Sequence, residues 1–268
     1  MSEVLKLALI QTHLHWENPE ANLNHFEEKI SGIQQPVDII LLPEMFTTGF
    51  TMNAADFAET GKSKTVKWLS LMASRTGALV IGSIIFKEHD KYFNRLFWVE
   101  PDGKILTYDK HHLFRMGNEH TVYHAGLNHL MASWKGWRIC PLICYDLRFP
   151  VWSRNRYNEE SGLLYDLLIY VANWPAVRSS AWETMIRARA IENLSYVAAV
   201  NRIGKDGKET DHSGNSAVIG PKGDVLLNLA SDDAVGIIEI NRRDLVSYRE
   251  QFPAFLDSDQ FELGTAVQ

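Results

Sequence analysis

The stretch Arg138-Ile-Cys-Pro-Leu-Ile-Cys-Tyr-Asp-Leu-Arg-Phe-Pro150 decides how the rest of the chain is read. Ile139–Ile143 is a short apolar run with the length of a buried strand, and it delivers Cys144 to a turn. Asp146 and Pro150 then read as the opening of a helix that carries Trp152. A cysteine between a strand end and a helix N-terminus meets oriented backbone N–H groups, which favour its thiolate. Taken alone, the stretch favours reading this residue as a small buried hydrophobe. Pro141 removes a ladder donor from a strand that should be central, so it requires a bulge or an unpaired position.

Strands and helices alternate outward from this stretch. Apolar runs at Leu5–Gln11, Val37–Leu42, Ala78–Phe86, Asn94–Glu100, Ile105–Tyr108, Tyr165–Asn173, Ser195–Asn201, Ser216–Ile219 and Val235–Ile240 read as strands. Helical spacing predicts helices from Asn18-Pro19, from Ser63 to Gly77, after Ser179/Ser180 as caps, and near Asn241–Glu250. Pro101-Asp-Gly-Lys104 and Pro221-Lys-Gly-Asp224 are hairpin signals. Strands that both alternate with helices and pair through hairpins imply an α/β fold with a mixed sheet or two sheets. No linker divides the chain, so residues 1–268 read as one domain.

Composition narrows the function. With 27 basic and 33 acidic residues the net charge is −6, which argues against nucleic acid or an anionic membrane as the main partner. No apolar run reaches the length of a membrane span, and the N-terminal run reads as a first strand, not a signal peptide. The two cysteines, Cys140 and Cys144, are about 13 Å apart if both lie on one strand at ~3.3 Å per residue, beyond disulfide reach. Two unpaired thiols suit a reducing cytoplasm.

Reactive side chains collect at strand ends. Glu44 follows Ile-Ile-Leu-Leu-Pro, Lys110 follows Ile-Leu-Thr-Tyr-Asp, Cys144 follows its own strand, and Asn173-Trp174 follows Ile-Tyr-Val-Ala. Ligands of α/β proteins bind beyond the carboxyl ends of strands, so these groups can converge. A thiol, a carboxylate and an ammonium there supply a nucleophile, a proton shuttle and an oxyanion partner for acyl transfer.

Three segments, Leu42-Pro-Glu-Met-Phe46, Tyr108-Asp-Lys-His-His-Leu-Phe114 and Cys144-Tyr-Asp-Leu-Arg-Phe-Pro150, together resemble the nitrilase superfamily of carbon–nitrogen hydrolases. Asn173-Trp-Pro175, Arg187-Ala-Arg-Ala-Ile-Glu-Asn193 and Asn201-Arg-Ile-Gly204 match in the same order, so the resemblance covers nearly the whole chain. It implies a four-layer α-β-β-α sandwich and a triad of Glu44 (base and acid), Lys110 (oxyanion stabilisation) and Cys144 (nucleophile). Glu119 becomes the supporting carboxylate, and the Tyr145 backbone N–H the second oxyanion donor. The resemblance further implies a homodimer whose interface includes the tail from about residue 248. Its implied reaction is hydrolysis of the terminal amide of a small dicarboxylate monoamide such as 2-oxoglutaramate, with N-carbamoyl hydrolysis as the alternative within the family. No cofactor is implied.

Arg148 and Arg115 are candidate anchors for a substrate carboxylate, against a structural reading in which Arg148 pairs with Asp146 and Arg115 with Glu119. Phe46, Phe114, Tyr145 and Trp174 are candidate pocket walls. On this reading Cys140 is inert and buried and Cys144 the exposed nucleophile. Three rivals remain. His111, His112, Glu119, His120 and His124 could hold a metal, although their spacing fits no standard zinc signature. His112 or His120 could serve a Cys–His pair. The chain could also be an inactive scaffold of the same fold, although no triad position is vacant.

Overall fold

The computed structural model describes residues 2–61 and 63–263. In chain order the first half contains β1 (Val4–Gln11), α1 (Pro19–Ser31), β2 (Ile39–Leu41), α2 (Ala54–Phe57), α3 (Lys64–Thr76), β3 (Leu79–Glu88), β4 (Lys91–Val99) and β5 (Ile105–Asp109). Next come β6 (Ala132–Trp134), β7 (Trp137–Ile143), β8 (Tyr157–Asn158), β9 (Gly162–Leu163), β10 (Leu167–Val171), α4 (Ser179–Asn193) and β11 (Tyr196–Val200). The last part holds β12 (Ile203–Lys205), β13 (Asp211–Ser213), β14 (Ala217–Ile219), β15 (Val225–Asn228), β16 (Ala234–Asn241) and α5 (Arg242–Gln251). Two six-stranded sheets result, with orders β16-β1-β2-β3-β4-β5 and β15-β14-β11-β10-β7-β6.

The layers follow from side-chain alternation. Leu5, Leu7, Leu9, Ile39, Leu41, Leu79 and Ile81 join residues of the second sheet in one core between the sheets. Their neighbours Ala8, Ile10, Ile40, Leu42 and Val80 face the other way, onto Phe26 and Ile30 of α1 and Leu69 and Met72 of α3. Trp182, Ile186 and Ala190 of α4 cover the outer face of the second sheet. The expected four-layer α-β-β-α sandwich is the observed fold. Strands covered on both faces read as continuous apolar runs, so their alternation is hidden from the sequence.

The helices start and stop where local chemistry requires. Asn18 accepts the Ala21 N–H ahead of Pro19 in the first turn of α1. Ser63 accepts the Val66 N–H, and Gly77, at φ 68°, ends α3 in the left-handed region. Ser179 and Ser180 do not cap α4. They lie inside it, because α4 continues directly from a 3₁₀ turn at Ala176–Arg178.

The segment after Cys144 also departs from expectation. Cys144–Arg148 is a 3₁₀ turn, and Trp152 follows in a turn, not a helix. The cause is the fully buried Asp146, whose carboxylate accepts from Tyr108 Oη at 2.7 Å, His112 N and Nδ1 at 2.9 Å each, and Ile143 N at 3.1 Å. Tied to β5 and the loop behind it, the chain cannot wind on into an α-helix.

Pro141 is accommodated without a bulge. The Arg138 carbonyl accepts from Asp166 N at 2.8 Å on the β10 side. Backbone groups alternate sides along a strand, so Ile139, Pro141 and Ile143 address the opposite side. There β6 pairs only as far as Ile139, opposite Ala132. Pro141 therefore occupies a position with no partner strand to require its missing N–H.

Candidate active site

Glu44 lies just beyond β2, Lys110 just beyond β5, Cys144 just beyond β7 and Asn173 just beyond β10, so the strand ends do converge. Lys110 Nζ is 2.8 Å from Glu44 Oε1 and 3.0 Å from both Glu119 oxygens, and all three side chains are buried. Glu119 also accepts the Phe114 N–H at 2.6 Å, and Glu44 accepts the Asn173 N–H at 2.9 Å. The Asn173 side-chain amide closes onto the Glu44 carbonyl. Asn94, in the middle of β4, donates to Glu44 Oε1 at 2.7 Å and lies 3.4 Å from Glu119 Oε1. Glu44 is thus fixed from three directions.

The backbone beside the two reactive groups is unusual. Cys144 has φ 41° and Met45, next to Glu44, has φ 42°. Left-handed backbone at residues with side chains is held only where surroundings over-determine it. At Cys144 the Asp146 carboxylate does so. Met45 is held by its N–H on Ser83 Oγ at 2.9 Å.

Charge sets the proton inventory. Burial works against the charge on Lys110, but the Glu119 and Glu44 carboxylates outweigh it and raise its pKa, so it remains an ammonium. Burial, followed by the negative charge of Glu44, pushes the Cys144 thiol well above the usual thiol range. Lys110 and the Asn173 N–H act in the opposite sense and lose. Cys144 therefore rests as a neutral thiol, not as the helix-stabilised thiolate of the sequence reading. Cys144 is also not openly exposed. It is only 7% accessible and is reached through one cavity. Cys140 is wholly buried, and both cysteines are free.

The cavity, about 180 Å³, brings Glu44, Lys110, Cys144, Tyr145, Arg148, Asn173 and Trp174 together. Glu119 stands behind Lys110 and does not line it. Tyr145 is the second residue of the 3₁₀ turn, where an N–H finds no carbonyl within the turn. Arg148 stacks over Trp174, its guanidinium carbon 5.0 Å from the ring centre, and pairs with no carboxylate among the described residues. Arg115 is exposed and does not line the cavity. Neither arginine makes its alternative ion pair, since Asp146 holds His112 and Glu119 holds Lys110. Phe46 is core, packed against Phe26 and Trp68 on the helix side of the first sheet.

Several groups at the site went unrecognised in the sequence. Asp206, Lys208, Thr210 and His212 reach the cavity from the β12–β13 hairpin, and Arg178 and Phe50 complete its wall. Burial and the Arg202 charge hold His212 down at about 4, so it is neutral near pH 7. The histidine rivals do not assemble. His111 stacks on Trp152 and bonds the Gly126 carbonyl, His112 stacks on Phe149 and bonds Asp146, and His120 is exposed.

The fold and this cluster define a hydrolase of carbon–nitrogen bonds, and the chain belongs to the carbon-nitrogen hydrolase family, which it matches over residues 6–250. It is an amidase by class. The chain is 47% identical to omega-amidase YafV of Yersinia enterocolitica over 260 residues, 97% of this chain and 98% of that protein. It is 30% identical to the 2-oxoglutaramate amidase of Bacillus subtilis, covering 94% and 96% of the two chains. Among solved structures, XC1258 of Xanthomonas campestris, a CN-hydrolase superfamily protein with an arsenic adduct in its active site, superposes with a TM-score of 0.96. The identity there is 44%, with 98% of this chain and 100% of that one covered.

Proposed function

We propose that Cys144, Glu44 and Lys110 carry the chemistry of an omega-amidase, hydrolysing the terminal amide of a small dicarboxylate monoamide such as 2-oxoglutaramate. The observation that carries the reading is a carboxylate clamped by a buried ammonium, with a thiol lining the same cavity. Identity of 47% to an omega-amidase across nearly the whole chain supports the substrate class.

Because the thiol rests neutral, attack requires a base, and Glu44 is within reach. Glu44 takes the Cys144 proton as Sγ adds to the amide carbon. The oxyanion that forms is met by the Lys110 ammonium and the Tyr145 N–H. Glu44 returns the proton to the departing nitrogen, the C–N bond breaks, and ammonia leaves a Cys144 thioester. Water then attacks the thioester while Glu44 accepts its proton. Collapse releases the acid and restores the thiol. Glu119 holds Lys110 in place and balances its charge throughout. Arg148, stacked but without a carboxylate partner, binds the substrate carboxylate, and Asn173 and Trp174 wall the reacting end.

We place the enzyme in the cytoplasm on the strength of its two free thiols. No helix among the described residues is long and apolar enough to cross a membrane. We read residues 1–268 as one domain that dimerises. Exposed Val246, Phe252 and Leu256 on α5 and the segment after it support an interface reaching from about residue 248, and residues 264–268 lie outside the described residues. Light scattering of the parent and of Phe252→Glu tests the dimer.

The reaction is tested by ammonia release and intact mass after brief incubation with 2-oxoglutaramate, other short omega-amides and N-carbamoyl amino acids. An acyl adduct on Cys144 with omega-amides, absent in Cys144→Ala, is expected. Turnover of N-carbamoyl substrates alone, or activity retained in Cys144→Ala, would sink the assignment.

A further inference from the structure

Beyond β1 the chain lays His13 and His15 beside His25 of α1. Each of the three rings offers one ligand atom, and these atoms all lie within 4.8 Å of one another. Ring centres are 5.1, 4.7 and 5.8 Å apart. His13 and His15 are exposed and His25 is half-buried, so the group opens to solvent, and none of the three lines the catalytic cavity. Among the described residues no other three histidine, cysteine or acidic side chains converge in this way.

Two rings are already oriented by neighbours. Asp233 lies 3.4 Å from His13 Nδ1, and Thr12 Oγ1 lies 2.7 Å from His25 Nε2. A carboxylate or hydroxyl on one ring nitrogen fixes the tautomer presented by the other, the usual support of a metal-bound imidazole. As packing alone the cluster gains little, since two of its rings remain in water.

We propose that His13, His15 and His25 form a surface site for one divalent transition-metal ion of the zinc type, separate from the catalytic cavity. An all-imidazole set suits zinc, nickel or copper and disfavours magnesium and calcium. Zinc–nitrogen bonds of about 2.0–2.1 Å in a tetrahedron set the ligands roughly 3.4 Å apart, and water takes the fourth position. Rotation of the exposed His13 and His15 side chains closes the remaining gap.

The site is tied to the cavity through backbone. Ile203 N donates to the Thr12 carbonyl at 3.1 Å, and His13 bridges to Ile203 at the start of β12. Trp16 packs on Gly207 of the same hairpin so closely that a Cβ there would sit 2.3 Å from the indole. An ion on the three histidines therefore clamps to α1 the segment that supports Lys208 and His212.

The test is calorimetric titration of untagged protein with Zn²⁺, and with Mg²⁺ as control, in the Cys144→Ser background so that the active-site thiol cannot contribute. One saturable zinc site per chain is expected, with no magnesium binding. His25→Ala and the double variant His13→Ala/His15→Ala, on different elements, should each weaken zinc binding at least about tenfold. Zinc should raise the melting temperature of the parent but of neither variant. Absence of saturable zinc binding, or undiminished binding in both variants, overturns the proposal.

Discussion

Asp146→Asn should damage the enzyme in two ways that separate cleanly. The carboxylate accepts four hydrogen bonds in a site with no solvent access. An amide oxygen placed toward His112 keeps two of them. Its NH₂ then faces Tyr108 Oη, which can turn to accept, and Ile143 N, which cannot. One buried N–H is left unmet, at about 1–3 kcal/mol, and the two bonds to His112 lose their charge assistance at about 1 kcal/mol each, roughly 3–5 kcal/mol in all. At roughly 2–4 °C per kcal/mol for a chain of this size, the melting temperature should fall by about 6–20 °C. Ile143 immediately precedes Cys144, so the same loss frees the left-handed Cys144 backbone. Misplacement by about 1 Å costs on the order of 100-fold in rate. The assay is scanning fluorimetry together with steady-state ammonia release below the lowered transition. The control is Asp166→Asn, which unpairs a comparably buried carboxylate at the opposite end of the β10 strand. Asp146→Asn with kcat within twofold of the parent, or a kcat loss no larger than that of Asp166→Asn, would refute the positioning role.

Other outcomes follow from the same structure. Asp166 pairs with Arg249 at 2.6 Å and with Arg138, and although burial works against it these guanidinium groups hold its carboxyl below the usual range. Its stabilisation is present above the unfolded carboxyl pKa of about 3.9 and is lost as pH falls through the lower folded value. Asp166→Asn, which leaves Arg249 uncompensated, should cost roughly 3–5 kcal/mol and flatten that acid limb, with kcat unchanged in denaturation and rate assays. Because burial and Glu44 raise the Cys144 thiol, its alkylation by iodoacetamide in the resting enzyme should keep rising beyond the ordinary thiol value of about 8.5, and a plateau below pH 7 would contradict a neutral resting thiol. Glu119→Gln removes the carboxylate that spans Lys110, so kcat should fall about 10- to 100-fold, read by initial rates. Gly126→Ala places a Cβ 2.2 Å from the Asp109 carbonyl, just behind Lys110, and should lower both melting temperature and kcat, whereas His120→Ala, fully at the surface, should leave both unchanged.

Much of the architecture is legible because most buried strands are apolar runs and α1, α3 and α5 each carry a capping side chain at the start. The side-by-side order of Leu41-Leu42, Pro43 and Glu44 already places a carboxylate at a strand end, and the same logic locates Lys110 and Cys144. What escapes is decided by tertiary contacts. The turn after Cys144 looks helical locally, and only the Tyr108 and His112 partners of Asp146 show why it is not. The β12–β13 hairpin, Ile203-Gly-Lys and Asp211-His-Ser, lacks apolar alternation because it lies over the cavity and not in the core, so Lys208 and His212 give no signal. Asn94 shares its strand with Lys91 and Arg95, so its polarity alone does not single it out, and only the fold shows that it holds Glu44. Phe46 shows the opposite error, since sequence adjacency to Glu44 does not survive a reversal of face within two residues.

The way β7 accommodates Pro141 has a consequence for solubility. Past Ile139 the strand leading to Cys144 has no partner strand on one side, and although these residues are buried in the folded chain, a partly opened one would present them as an edge on which foreign strands or a second copy can add. Pro141 offers such a strand no donor, and the next N–H on that side, from Ile143, is already taken by Asp146. The two residues together act as gatekeepers against edge-to-edge association where β7 runs on past its last β6 partner.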